Sequence, residues 1–194
     1  GITKKQGGGS AANSIVALSQ LGGNGFYSCK VASDDDGIFY SRDLNDNGVE
    51  TNLIAGQLPS GETGKCLVMI SPDAERTMNT FLGITADFSI DELTTDKIKA
   101  SKYLFIEGYL VSSETGLVAM KEAKRIAEEN GVKVSLTFSD PSMVKYFKAQ
   151  MQEVVGSGID LLFCNEEEAM LFTDTENVEA AAEAIKQFAT EFVI

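Results

Sequence analysis

The stretch YLFIEGYLVSSETGLVAMKEAKRIAEENGVKVSLTF, residues 103–138, decides the fold class. Its two ends, beginning at Tyr103 and Val132, are short apolar runs rich in β-branched and aromatic residues. Between them Leu117, Met120, Ala123, Ile126 and Ala127 recur at helical spacing, which predicts a helix over Ser113 to Asn130 with Gly131 as its stop. Strand, helix and strand of these lengths form a parallel β-α-β unit with a right-handed crossover. The pattern then repeats. Asp140-Pro141 offers an N-cap with proline at the first helical position, and Met143, Phe147, Met151 and Val155 carry the apolar face onward. IDLLFCN starts a third strand at Ile159. A helix is expected from Asn165-Glu166, pausing in the polar FTDTEN and resuming from Val178 to about Phe188, before TEFVI opens another strand. The sequence therefore predicts an α/β fold, a doubly wound and mostly parallel sheet in three layers, buried on both faces.

The N-terminal half reads differently. Short β-prone runs around Tyr27 to Val31 and Lys65 to Ser71, an apolar stretch near Phe81, and many Gly and Asp residues predict a smaller sheet that is antiparallel in part. At 194 residues and 43% hydrophobic content the chain fits one large domain, or one domain with a small appendage.

A net charge of −13 with no basic stripe argues against nucleic acid as a partner. It leaves an anionic nucleotide open, because local N–H groups or one Arg with a divalent metal outweigh a distant surface field. No apolar run of about 18 residues and no basic-then-apolar leader is visible, so no membrane partner and a cytoplasmic location are expected. Cys29, Cys66 and Cys164 are odd in number and far apart, which suits reduced, buried thiols. The chain has no histidine. That removes Ser-His-Asp and Cys-His nucleophile schemes and His-ligated zinc.

Two places could bind a ligand. The first is GGGSAANSIVALSQLGG, residues 7–23, where three glycines run into a helix whose first turn holds Ser10 and Asn13. Backbone without Cβ atoms permits close approach, and a helix start favours hydroxyl or anionic oxygens. Ala11, Ala12, Ile15, Leu18 and Leu21 form the expected apolar stripe, with Gly22 and Gly23 as the stop. The second is the rim at the carboxyl ends of the strands, where Glu107-Gly108, Ser139-Asp140 and Asn165-Glu166 gather. Asn165 and Glu168 lie three apart at a helix start. For Asp140 a helix cap competes with a functional role, as does plain macrodipole stabilisation for Glu168; Glu107 stays open between structure and function.

Three near-matches fail on their chemistry. Gly7-x-Gly9-x-x-Ala12 with Asp34 beyond it fits the dinucleotide fingerprint, but no apolar strand precedes it. Gly56 to Thr63 has P-loop spacing with Glu62 where lysine is required. Asp43 to Ile54 follows a calcium-loop order but ends in Ile54 rather than a bidentate carboxylate, and reads better as a helix end and a turn leading to Val49.

GGSAANS, TGKCLVMI, AERTM, IEGY, LTFSDP and NEEEA, in this order, resemble the ribokinase-like (PfkB) carbohydrate kinases, particularly their adenosine-kinase-like branch. The resemblance implies transfer of a phosphoryl group from ATP, with Mg2+, to a primary hydroxyl of a sugar or adenosine-like nucleoside. By the same resemblance Gly8, Gly9, Ser10 and Asn13 grip the acceptor, Asn165 and Glu168 lie near the nucleotide phosphates, and Glu168 influences magnesium through water. Arg76 would meet the transferring phosphate, against an equal reading as an ion pair with Asp73 or Glu75. Residues from about Val49 to Ile84 would form a β-sheet lid, through which subunits of this family often pair as homodimers. Ser10, where ribokinases usually carry Lys, points to the adenosine-kinase-like branch. Family members begin with a strand whose Asp binds sugar and end with a Gly-Ala-Gly-Asp loop that supplies the catalytic base; neither is found in these residues. The expectation is a partial ribokinase-like domain over residues 1–194, inactive alone. The rival from another class is a non-catalytic sugar- or nucleoside-binding or regulatory pseudo-kinase module, and a nicotinamide oxidoreductase stands a distant third.

Overall fold

The computed structural model describes residues 4–74 and 76–194, in two compact units that divide after Phe88. In the first, α1 spans Ser10–Gln20, β1 Phe26–Tyr27, α2 Asp35–Asp46 and β2 Glu50–Thr51, with β1 and β2 paired in parallel. Cys29, Leu44 and Val49 form a small buried cluster against which Ile15, Val16, Tyr27, Tyr40 and Leu53 pack.

The glycine stop of α1 is as expected: Gly22 takes φ +86° and donates to Ser19 O, while Gly23 donates to Leu18 O, both at 2.9 Å. The apolar stripe is shorter than its sequence suggests. Ala12 is buried and Ile15 half-buried, but Leu18 and Leu21 are 43% and 88% exposed. Each three-residue step falls about 60° short of a full turn, so the stripe winds away from the face centred on Ala12 and Val16.

Helix α2 starts at Asp34, whose Oδ1 accepts from Gly37 N at 2.9 Å. It runs through residues 43–46 and ends in a turn at Gly48 before buried Val49, which leaves no calcium loop there. Beyond it β3, Lys65–Ile70, and β4, Arg76–Phe81, form an antiparallel pair. Leu67, Val68, Met69, Ile70, Met78 and Phe81 of this pair are all exposed. Cys66 is exposed with them, against the expectation of a buried thiol, because neither face of this small sheet is covered. Cys29 is buried and Cys164 half-buried, and none of the three forms a disulfide.

The second unit holds α3 (Thr95–Lys99), β5 (Tyr103–Glu107), α4 (Glu114–Glu129), β6 (Lys133–Thr137), α5 (Pro141–Val155), β7 (Ile159–Phe163), α6 (Glu166–Thr173), α7 (Val178–Ile185) and β8 (Ala189–Val193). β5 to β8 form one parallel sheet in sequential order. The α/β class, the parallel sheet and the separate small sheet all agree with the sequence reading. Sequential order with right-handed crossovers sets the linking helices on one face. Ile106, Val134, Leu136 and Leu162 belong to that face and are buried with Met120, Val144, Met151 and Ile185. Tyr103, Phe105, Phe163 and Val193 alternate to the other face and are exposed, while Ser135, Ile159 and Ala189 of that face are buried, so among the described residues burial is largely but not wholly one-sided.

Lysines tie the helix layer together. Lys124 of α4, nearly buried, donates to Val155 O at the end of α5 (2.9 Å) and pairs with Glu128 (3.1 Å). Lys148 of α5 donates to Leu171 O near the end of α6 (2.8 Å) and pairs with Asp174 (2.7 Å). Both place a cation at the carbonyl end of a helix. Lys124→Ala should lower the unfolding free energy by about 1 kcal/mol, since it removes one of two donors to Val155 O and leaves Gly158 N as the other; urea denaturation reads this, and an unchanged midpoint would contradict the assignment.

Candidate functional site

The glycine loop leads into α1 with Gly9 as N-cap, at φ +116°, and no side chain caps the helix. Asn13 N donates to Gly9 O at 2.9 Å, which closes the first turn. Gly8, Gly9, Ser10 and Asn13 are all exposed and contiguous, so the structure brings these four residues together. A helix start led by exposed glycines presents its partial positive charge to a close-lying group, which suits hydroxyl or phosphate oxygen. The loop is held from behind by Tyr40 of α2, whose hydroxyl donates to Gly8 O at 3.1 Å.

The rim of the second unit is built from three strand ends. Asn165 caps α6 in a reciprocal box: its Oδ1 accepts from Glu168 N (2.8 Å), while Glu168 Oε2 accepts from Asn165 N (3.0 Å) and Oε1 from Asn165 Nδ2 (3.1 Å). The pair is thus first of all a helix start, and the carboxylate is held in one place. Glu168 is only 4% exposed. Burial raises its pKa, the charges of Asp140 and Glu167 add to this, and the Asn165 N–H opposes them. Asp140 caps α5 by accepting from Ser142 N at 2.8 Å and from the Ser142 hydroxyl, so its capping role is confirmed.

The sequence reading missed Tyr109 and, although it placed Ser139 on this rim, it missed the bond that Ser139 makes there. Tyr109, directly after Glu107-Gly108, has its phenol pKa raised by burial and by the charges of Asp140, Glu107 and Glu168, which shows the four groups sharing one electrostatic neighbourhood. Its position two residues past a strand end was the available signal. Ser139 adopts φ +72°, rare for a residue with a side chain, and its Oγ accepts from Gly108 N at 2.9 Å. No sequence pattern announces that lock. A Cβ on Gly108 would sit 2.5 Å from Thr137 O and 2.6 Å from Phe138 O, so the two strand ends interlock only through a glycine. Cys164 is pushed up to about 12 by burial and by Glu168, leaving it an unreactive thiol.

The hard oxygens of this rim suit magnesium, yet among the described residues no group of three or more Asp, Glu or Cys could hold a metal directly. The donor set fits a cation reached through water. Arg76 opens β4, and its side chain, like Glu75, lies outside the described residues. Asp34, the acid of the failed dinucleotide match, is taken up by α2 and Thr63. Glu62, in the failed P-loop match, pairs with Lys65 at 3.0 Å.

The sequence matches the profile "pfkB family carbohydrate kinase" over residues 2–194. The chain belongs to this family. It is 30% identical over 129 residues to a 5-dehydro-2-deoxygluconokinase of Halalkalibacterium halodurans, a match covering 66% of this chain and 39% of that protein. Fructokinase-1 of Zea mays is 27% identical over 181 residues, covering 89% and 54%. Among solved structures, the adenosine kinase from Sinorhizobium meliloti superimposes with a TM-score of 0.86 at 31% identity, over 94% of this chain and 56% of that one. The chain thus spans well under two thirds of each of these relatives. No helix of the described residues is long and apolar enough to cross a membrane.

Gly108→Ala should cost about 1–3 kcal/mol through backbone displacement, read as a lower thermal midpoint. A raised carboxyl pKa means that the folded state takes its proton first as pH falls, so the burial penalty of Glu168 is full well above its folded pKa and fades on acidification. Comparing denaturation at about pH 7.5 and about pH 5.5, the parent should gain stability relative to Glu168→Gln at the lower pH. A relative loss would reverse the assigned direction.

Proposed function

We propose that this protein transfers a phosphoryl group from ATP to a primary hydroxyl of a sugar or an adenosine-like nucleoside. The observation that carries the reading is the exposed, glycine-led start of α1, with Gly8, Gly9, Ser10 and Asn13 contiguous around it. Membership of a carbohydrate kinase family and the likeness to an adenosine kinase support the reaction class.

In this reading the glycines let an acceptor lie against backbone, and Ser10 and Asn13 add hydrogen-bonding groups that orient its hydroxyls. Magnesium-bound ATP supplies the electrophilic phosphoryl group and neutralises its charge. Glu168, fixed by Asn165, would orient water around the metal, and both residues would lie close to the nucleotide phosphates. Arg76 offers a planar two-point contact to the phosphate in transfer. The exposed β3–β4 pair serves as the lid that excludes water, and its uncovered apolar residues pair with a second copy of the chain. A cytoplasmic setting completes the reading.

Turnover of ATP with adenosine, fructose and 5-dehydro-2-deoxygluconate tests it, with one acceptor expected to stand out. Tight binding of an acceptor without turnover in the whole protein would favour a non-catalytic binding module instead. The 194 residues alone contain no Gly-Ala-Gly-Asp segment and should show negligible turnover. Asn13→Ala should raise the acceptor KM about tenfold, and Glu168→Gln should raise the magnesium requirement about 10–100-fold. Unchanged constants in both variants would sink the assignment of these residues.

A further inference from the structure

One helix holds both the glycine loop and the root of the hairpin. Near its middle, Tyr40 donates to Gly8 O at 3.1 Å, and the Gly7 backbone lies against the side chain of Asp43 one turn further on. At its start, Asp34 accepts from Thr63 N at 2.9 Å and from Thr63 Oγ1 at 2.5 Å, besides capping the helix through Gly37 N. Thr63 is 4% exposed, and its Oγ1 also accepts from Ala32 N at 2.9 Å. Asp36 adds Lys65, the first residue of β3, at 3.0 Å. Burial alone would raise the pKa of Asp34, yet the Thr63 and Gly37 bonds and the Lys65 charge bring it below its usual value, so the carboxylate is charged and engaged. The chain leaving the hairpin is interlocked with the same root: Ile84 N donates to Glu62 O at 2.9 Å, and a Cβ on Gly64 would sit 2.7 Å from Leu82 O.

We infer that α2 is the positioning element of the acceptor site, with Tyr40 setting the glycine loop and Asp34, through Thr63, setting the hairpin root, so that loop and hairpin are held at a fixed spacing. Neither residue touches the reacting atoms; Tyr40 acts through the glycine-loop backbone and Asp34 through the hairpin root. The inference rests on the acceptor reading of the glycine loop given above. It goes beyond that reading in naming what holds the loop, and in tying the loop to the hairpin through a single helix.

Tyr40→Phe and Thr63→Val each remove one hydroxyl while preserving shape. Hydrogen exchange in the whole protein reads the positioning directly. Tyr40→Phe should speed exchange of the amides in residues 8–14 about fivefold, and Thr63→Val should do the same in residues 62–66, with the amides at the centre of α2 unchanged. Unaltered exchange at residues 8–14 in Tyr40→Phe overturns the inference. Steady-state kinetics with adenosine and fructose give the second readout. Each variant should raise the acceptor KM about fivefold and leave the KM for ATP where it was. A general loss of fold would move both constants together, and that result also overturns it. If the parent neither binds nor phosphorylates either acceptor, the acceptor reading falls, while the exchange data still decide whether α2 positions the loop and the hairpin.

Discussion

The burial of one face of the parallel sheet against a single helix layer is the constraint on which the second unit depends. Ile106, Val134, Leu136 and Leu162 meet Met120, Val144, Met151 and Ile185, and each large side chain removed from water contributes about 1.5–3 kcal/mol. That packing sets the height at which β5, β6 and β7 end, and so where Glu107, Asp140 and Asn165 stand. Asp160 extends the ladder with its side chain, accepting from Val134 N at 2.7 Å. Lys124 and Lys148 then peg each helix to the end of the next, so the layer below the rim is stiff.

A stiff layer permits an electrostatic arrangement that would relax in a looser one. Three carboxylates at the strand ends act on the phenol of Tyr109, and Glu168 is the buried one of the three. Such a cluster favours an incoming cation, because a cation removes the mutual repulsion that burial magnifies. The interlock of Gly108 and Ser139 keeps the ends of β5 and β6 together at the cost of a left-handed backbone at Ser139. Strain beside a functional rim is where such conformations tend to be retained.

The first unit is organised by different means. Its buried cluster is small, and polar contacts carry much of the arrangement: Asp34 to Thr63, Asp36 to Lys65 and Tyr40 to Gly8. Glycines allow chain segments to cross at the hairpin root where side chains would collide. The hairpin itself exposes apolar residues on both sides, which is marginal for two strands by themselves.

Much of this was legible in the residues. Periodicity placed α4, α5 and the four long strands closely, and capping chemistry marked Asp140 correctly, because both signals are local and survive without knowledge of neighbours. The glycine-led helix start was equally plain. What the residues could not show depends on which segments meet: the largely one-sided burial of the sheet, the winding of Leu18 and Leu21 away from the packed face, the exposure of Cys66, the left-handed Ser139 and the grip of Tyr40 on Gly8. By itself the sequence determined the long elements of the second unit, their order and the family to which the chain belongs, since backbone propensity and side-chain spacing act within a few residues. Only tertiary structure decided which faces stay open and which polar groups lock to each other, because burial and hydrogen bonding between distant segments are properties of their packing.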